Sequence, residues 1–198
     1  MTAQPESILD IFRQTGAYLS GHFKLTSGLH SPEYLQCALV LQHPRHAERL
    51  GASLAVKLRE MAGSESIAVV VSPAMGGLII GHEVARALGA RFLFTERDAA
   101  SGKMVLRRGF ALQPGELAVV VEDVITTGGS TREVVDILEA SGARAIAAGS
   151  IIDRSGGKAQ VGVPRVALAT LDVVSYQPED CPLCRQGLPV TKPGSRAS

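Results

Sequence analysis

Two adjacent carboxylates, Glu122 and Asp123, are followed by a run of hydroxyl residues and glycines. The run comprises Thr126, Thr127, Gly128, Gly129, Ser130 and Thr131. An apolar segment precedes the acids and a helical pattern follows the run, so the hydroxyls and the free amides of a helix start should together bind a phosphate dianion. Carboxylates beside a phosphate repel it unless they face ribose hydroxyls or a metal ion. The stretch therefore predicts a site that holds a sugar phosphate by both ends.

The glycines separate this stretch from two other phosphate motifs. Gly128 and Gly129 are expected to adopt positive φ and to let the backbone approach the ligand. No Gly-x-Gly-x-x-Gly follows a strand, and Gly157-Lys158 is followed by Ala159 rather than by Ser or Thr. A dinucleotide-dependent dehydrogenase and a P-loop NTPase are therefore not the leading interpretations.

The segments that must position these residues alternate between strand and helix patterns. Apolar runs predict strands over 67–71, 91–95, 117–121, 145–152 and 166–171, and periodic apolar faces predict helices over 44–61, 78–88 and 131–140. This alternation is typical of an α/β fold with a central, mostly parallel sheet flanked by helices, which binds ligands beyond the carboxyl ends of its strands. Residues 1–198 are predicted to form one domain, with an N-terminal hood or arm over 1–40, a hairpin turn at Ser27-Gly28 and a C-terminal extension over 173–198.

Residues 96–110 interrupt the alternation with four basic residues against two acids. The basic residues are Arg97, Lys103, Arg107 and Arg108. A cationic, glycine-containing segment at the end of a strand is either a mobile flap over the site or a solvated hairpin, and local composition leaves both open.

The amino-acid composition limits the classes of binding partner that are expected for this chain. The net charge of +1 offers no field that would recruit nucleic acid or an anionic membrane, and the absence of Trp argues against a stacking platform for single strands. No apolar run approaches the ~20 residues of a membrane helix, and the first residues lack the pattern of a secretory signal. With three cysteines and no such signal, a cytoplasmic location is expected.

Residues 119–131 resemble the phosphoribosyl pyrophosphate signature of the type I phosphoribosyltransferases. Further segments are similar to the orotate phosphoribosyltransferases of that family, namely 23–28 with Ser31, 72–77, 96–110 and 152–154, in the family's order. The resemblance implies the family's fold and the transfer of a phosphoribosyl group to orotate, which gives orotidine 5′-phosphate and diphosphate in pyrimidine biosynthesis. Two alternatives stay open: a phosphoribosyltransferase for a purine or uracil, and a non-catalytic regulator that senses phosphoribosyl pyrophosphate.

The resemblance also implies a role for each segment. Glu122 and Asp123 would bind the ribose hydroxyls, and Arg154 and Thr126, with Lys24, would contact orotate. Thr126 would also bind the 5-phosphate, together with Thr127, Gly128, Gly129 and Ser130. The remaining residues implied to bind phosphoribosyl pyrophosphate are Val124 and Ile125, and Ala74, Met75 and Gly76 at the pyrophosphate.

The flap and the metal follow from the same resemblance. Arg97 and Lys103 would reach in from the partner subunit of a homodimer and neutralise the departing pyrophosphate, so that with Asp123 they are the implied catalytic residues. Mg²⁺ is the implied cofactor. It would be held mainly by the substrate's own pyrophosphate and hydroxyls, so no metal site made by the protein is predicted.

Two positions depart from the family pattern. The family commonly has Lys in the pyrophosphate loop, where this chain has Met75, and Lys immediately before Ser27-Gly28, where this chain has Thr26. Lys24 lies two residues upstream of Thr26, which keeps it on the same face of a strand.

Cys181-Pro-Leu-Cys184 has the spacing of half a metal-binding knuckle. Cys37 and a histidine could complete it, but nothing in the spacing identifies them. The simpler interpretation is two small residues around a local turn near the C-terminus.

Overall fold

The structure is a computed structural model that describes residues 7–25 and 27–192. The chain divides into two compact units, one formed by the described residues up to Gln42 and from Asp172 onward, the other by His43–Leu171. Residues 1–6, 26 and 193–198 of the predicted hood and extension lie outside the described residues.

The helices and strands are numbered in chain order. The helices are α1 (Ile8–Gln14), α2 (Cys37–Leu41), α3 (Pro44–Ala62), α4 (Gly77–Leu88), α5 (Gly129–Ala140) and α6 (Pro182–Arg185). The strands are β1 (Tyr18–Lys24), β2 (His30–Leu35), β3 (Val69–Pro73), β4 (Arg91–Arg97), β5 (Met104–Leu106), β6 (Leu117–Ile125), β7 (Arg144–Asp153) and β8 (Arg165–Thr170).

The larger unit is built on a six-stranded sheet in the order β5-β4-β3-β6-β7-β8. Neighbouring strands pair in parallel except for β5, which pairs with β4 antiparallel at the edge. Apolar β-branched residues form both central strands, because a sheet covered by helices on each face excludes water from both sides. The predicted α/β fold with a mostly parallel sheet is confirmed.

The chain leaves the middle of this sheet in opposite directions. After β3 it passes through α4 to β4 on one side, and after β6 it passes through α5 to β7 on the other. The loops that follow β3 and β6 therefore diverge, and they leave a crevice at the carboxyl ends of two neighbouring strands.

The helices bury one face each, as their sequence spacing predicts. Leu50, Leu54 and Leu58 of α3 are fully buried, as are Val134 and Leu138 of α5. The three predicted helices are confirmed within two residues of their bounds.

Strand β6 is longer than its apolar run predicts. The expected end is at residue 121, but pairing with β7 continues through Val124 opposite Ile152 and Ile125 opposite Asp153. Glu122 and Asp123 therefore lie within the strand and not beyond it, because the backbone ladder continues where the hydrophobic signal stops.

The smaller unit contains the predicted hairpin. Strands β1 and β2 pair antiparallel, and Gly28 in the connecting turn has a φ of 88°. The C-terminal segment joins this hairpin through backbone bridges between His30 and Tyr176 and between Phe23 and Thr191.

In the part of the chain that the structure describes, no helix combines the length and the apolar character needed to cross a membrane.

Candidate functional site

A glycine begins the helix that follows the carboxylates. Gly128 is the N-cap of α5 and has a φ of 84°, and a Cβ there would lie 2.8 Å from Val161 Cγ1. Because a glycine cap has no side-chain oxygen, the amide groups of the first turn are left for a ligand. The hydroxyl residues Thr126 and Thr127 are exposed beside them.

Two details of this loop differ from expectation. Gly129 does not share the positive φ of Gly128, because it already belongs to the helix. Thr131 is fully buried and its hydroxyl donates to Glu122 Oε2, so it does not belong with the hydroxyls predicted to meet a phosphate. Thr126, Thr127 and Ser130 stay in that role as predictions.

The two carboxylates are both partly buried. Burial raises the pKa of Glu122 to about 7, against a smaller lowering by the Thr131 hydroxyl, and the negative charge of Asp123 raises it further. Burial also raises the pKa of Asp123, whose Oδ1 accepts from the backbone amide of Val124 at 2.9 Å. A hydroxyl-bearing or cationic ligand would therefore meet two acids that water solvates only in part.

The loop after β3 approaches Asp123 from the other side. A Cβ on Gly76 would lie 2.6 Å from Asp123 Oδ1, so only glycine fits there without displacing the carboxylate. Gly76 is also the N-cap of α4, and the neighbouring Met75 is 80% exposed. Ala74, Met75 and Gly76 thus present backbone and not side-chain charge at a second helix start.

Arg154 is the first residue after β7, and it lies next to the loop that follows β6. Its backbone amide donates to the carbonyl of Ile125 at 2.8 Å, which places it at the same sheet edge as the carboxylates. The preceding residue Asp153 is buried and forms an ion pair with Arg165, and it also accepts from Ser155 Oγ at 2.6 Å. These contacts account for the lowered pKa of Asp153 against its burial.

The segment predicted as a flap is a hairpin of β4 and β5. Its turn is held by Asp98, whose Oδ1 accepts from the amide and the hydroxyl of Ser101, each at 2.8 Å. Arg97 pairs with Glu133 of α5 at 3.0 Å, and Glu133 also accepts from the amide of Met104 at 3.2 Å. Lys103 is exposed near the tip.

The structure therefore brings most of the predicted residues to one edge of the larger unit. Glu122, Asp123, residues 74–76, residues 126–130 and Arg154 follow or end neighbouring strands. Lys24 ends β1 in the smaller unit and is exposed. The role of each residue stays a prediction.

Three partners were not foreseen from the sequence, namely Thr131 for Glu122, Glu133 for Arg97 and Arg165 for Asp153. The Thr131 contact had a usable signal, since a side chain in the first turn of α5 faces back toward the strand that precedes the helix. The two ion pairs join separate elements and had no local signal.

Known proteins resemble the chain in sequence and in fold. Residues 40–166 match the family model described as a phosphoribosyl transferase domain. The chain is 56% identical to the orotate phosphoribosyltransferase of Pelotomaculum thermopropionicum, over 96% of this chain and 97% of that protein. It is 51% identical to the orotate phosphoribosyltransferase of Thermotoga maritima, over 96% and 98% of the two chains.

Solved structures show the same fold. The orotate phosphoribosyltransferase from Aeropyrum pernix aligns with a TM-score of 0.67 at 26% identity, over 83% of this chain and 93% of that one. An adenine phosphoribosyltransferase from Saccharomyces cerevisiae aligns with a TM-score of 0.63 at 17% identity, over 81% and 99%.

We expect the wild type to lose stability as the pH rises, and we expect Glu122→Gln to abolish this loss. Because burial raises the folded-state pKa of Glu122 from 4.5 to about 7, the folded protein binds this proton more tightly than the unfolded chain. The stabilisation is fully present below pH 4.5 and is lost as the pH rises through about 7. In urea unfolding without ligand, the wild type should lose about 2–3 kcal/mol relative to Glu122→Gln between about pH 5 and pH 8.

The matched control for this change is Glu139→Gln, which alters an exposed glutamate on α5. Its pH profile should follow the wild type. Parallel profiles for the wild type and Glu122→Gln would contradict the raised pKa.

Proposed function

Because the chain belongs to the phosphoribosyltransferase family, and within it to the orotate phosphoribosyltransferases, we propose that it transfers the phosphoribosyl group of 5-phospho-α-D-ribose 1-diphosphate to orotate. The products are orotidine 5′-phosphate and diphosphate, as in the synthesis of pyrimidine nucleotides. The observation that carries the proposal is the edge where two glycine-capped helix starts flank two partly buried carboxylates.

This edge suits a sugar that carries phosphate at both ends. The 5-phosphate would bind the amides at the start of α5 with the hydroxyls of Thr126, Thr127 and Ser130. The diphosphate would bind the backbone of residues 74–76 at the start of α4. Glu122 and Asp123 lie on the strand between the two helix starts, where they would accept hydrogen bonds from the ribose hydroxyls.

In the reaction, the bond from the anomeric carbon to diphosphate breaks as the bond to a ring nitrogen of orotate forms, and the proton of that nitrogen leaves with the diphosphate. Positive charge develops on the ribose ring while negative charge leaves with the diphosphate. Carboxylates beside the ribose and cations beside the leaving group would lower this barrier. No side chain of the protein has to act as a nucleophile.

The donor set at this edge also fits the expected metal. Glu122 and Asp123 offer carboxylate oxygens, and Mg²⁺ prefers oxygen ligands but keeps much of its shell from substrate phosphates and water. Bound mainly by the substrate, Mg²⁺ would supply neutralisation of the diphosphate charge. The two carboxylates would keep the ribose hydroxyls oriented toward it.

The hairpin 96–110 would act as the flap. Its cations Arg97 and Lys103 would meet the diphosphate of the neighbouring subunit in a homodimer and exclude water from the reacting carbon. In this chain Arg97 is paired with Glu133 and Lys103 is exposed. Lys103 is therefore the cation that requires no exchange of an ion pair to reach a ligand.

The base would be chosen by a carboxylate contact. Orotate carries a carboxylate that adenine and uracil lack, and a guanidinium binds a carboxylate with two hydrogen bonds. Arg154 lies at the sheet edge for this contact, with Thr126 beside it and Lys24 as a further predicted contact. A cytoplasmic location stays a prediction from the sequence.

The enzyme assay that tests this function follows the loss of orotate absorbance with phosphoribosyl pyrophosphate and Mg²⁺. The wild type should consume orotate only when both are present, and should not use uracil or adenine. The double variant Glu122→Gln with Asp123→Asn should keep its fold by circular dichroism and lose at least ~10²-fold in kcat/KM, on the scale of removing a charged transition-state contact. Wild-type turnover by the double variant, or use of another base, would contradict the proposal.

Arg154→Ala should cost about 2–5 kcal/mol in kcat/KM for orotate, the cost of truncating one partner of a buried charge pair. The KM for phosphoribosyl pyrophosphate should change much less. The control is Arg144→Ala. It removes an exposed arginine at the start of β7, the strand that Arg154 follows. Equal losses for both substrates would show that Arg154 does not choose the base.

Lys103→Ala should lower kcat by about 10²-fold, since it would remove a cation from the leaving group. Lys57→Ala on α3 is the control for loss of a lysine elsewhere. Freshly exchanged mixtures of Lys103→Ala with the Glu122/Asp123 double variant should regain activity if the flap serves the neighbouring subunit. Mixtures that stay inactive would place its action within its own chain.

A further inference from the structure

Four metal-binding side chains converge in the smaller unit. They are His22 of β1, His30 of β2, and Cys181 and Cys184 at either end of the turn that begins α6. One ligand atom from each lies within 4.8 Å of all the others. His22, His30 and Cys181 are buried, whereas Cys184 lies at the surface.

Four of the distances between these atoms lie within about 0.4 Å of those in a tetrahedral zinc site. With Zn–N near 2.0–2.1 Å and Zn–S near 2.3 Å, tetrahedral geometry puts two nitrogens about 3.3 Å apart and a nitrogen and a sulfur about 3.5 Å apart. His22 Nε2 lies 2.9 Å from His30 Nδ1 and 3.5 Å from Cys181 Sγ. Cys184 Sγ lies 3.3 Å from His30 Nδ1 and 3.7 Å from His22 Nε2.

The surroundings also orient one ligand for a metal. His22 Nδ1 lies 2.8 Å from the carbonyl oxygen of Leu188, which can only accept, so Nδ1 carries the proton. The other nitrogen, Nε2, then directs its lone pair at the three remaining ligand atoms. A histidine whose second nitrogen donates to a carbonyl is the usual arrangement in zinc sites.

We propose that the smaller unit binds one Zn²⁺ through His22 Nε2, His30 Nδ1 and the two sulfurs of Cys181 and Cys184. Binding would release two protons, one from each thiol, and would leave both imidazoles neutral. Two thiolates and two imidazoles form a closed, soft ligand set that suits zinc and leaves no position for a substrate. The site is therefore structural, and it does not depend on the proposed reaction.

The metal would fasten the C-terminal segment to the hairpin. That segment already meets the hairpin through backbone bonds, with the amide of Thr191 donating to His22 at 2.8 Å and the amide of His30 donating to Tyr176 at 2.9 Å. Segments this short bury little apolar surface, and small units commonly gain the missing stability from a metal. Zinc would connect the hairpin, through His22 and His30, to the C-terminal segment, through Cys181 and Cys184. The two histidines are the hairpin residues that also make these backbone bonds.

The first test uses the full-length wild type, purified without chelator and with thiols reduced. Elemental analysis should find about one zinc per chain, and a strong chelator should remove it with a fall of roughly 5–10 °C in the melting temperature. Adding Zn²⁺ alone to the stripped protein should restore the melting temperature and release about two protons per ion. A stripped protein that takes up no zinc, or a disulfide between Cys181 and Cys184 in the freshly isolated protein, would overturn the proposal.

Single substitutions test which side chains bind the zinc ion. Cys184→Ser and His30→Asn should each lose at least ~10-fold in zinc affinity, on the scale reported for disturbing metal ligands and their supports. Cys37→Ser and His82→Gln keep the four ligands and should bind zinc like the wild type. Should a ligand variant fail to fold, Co²⁺ in the wild type decides the question, since a tetrahedral site with thiolates gives intense visible bands and an octahedral one does not. Wild-type zinc affinity in Cys184→Ser, or an octahedral cobalt spectrum, would overturn the assignment.

Discussion

The partial burial of two adjacent carboxylates in strand β6 constrains most of the larger unit around it. Successive residues of a strand face opposite sides of the sheet, so Glu122 turns toward α5, where Thr131 donates to it, and Asp123 turns toward the loop that begins α4. One strand thereby places an acid at the start of each helix. Because the two connections leave the sheet in opposite directions, these acids lie at the single point where the sheet can open a crevice.

That arrangement explains why glycine stands at both helix starts. A Cβ on Gly76 would collide with the Asp123 carboxylate, and one on Gly128 would collide with Val161 in a backbone conformation that side chains rarely adopt. Glycine caps also leave amide donors unfilled, which puts two anion-binding ends beside two acids whose pKa is raised by burial. Only a ligand with anionic ends and a hydroxyl-bearing or cationic middle satisfies both features at once.

Much of this could be predicted from the sequence because its signals are local. The strand and helix patterns, the acids of β6 and the glycines after them lie within a few residues of one another, and local periodicity specifies them. The continuation of β6 to Ile125, the ion pair of Arg97 with Glu133 and that of Asp153 with Arg165 depend on neighbouring elements. Composition could not show how the cations of residues 96–110 are paired for the same reason, since Glu133 belongs to a different element.

The cysteine pair shows the same limit most clearly. Metal sites are predicted from sequence by finding a second pair of ligands at a fixed spacing from the first pair. His22 and His30 have no such spacing, and they come together only because β1 folds back on β2 across a turn. The ladder between these strands is irregular between Ser20 and Phe23, so the side chain of His22 is not placed by a simple alternation that could be read from the strand. A hairpin and a distant Cys-x-x-Cys segment thus form one ligand set that neither shows alone. The two units therefore use opposite chemistry, since the larger one offers hard oxygens and backbone amides to an exchangeable ligand, whereas the smaller one encloses soft ligands that hold its own chain together.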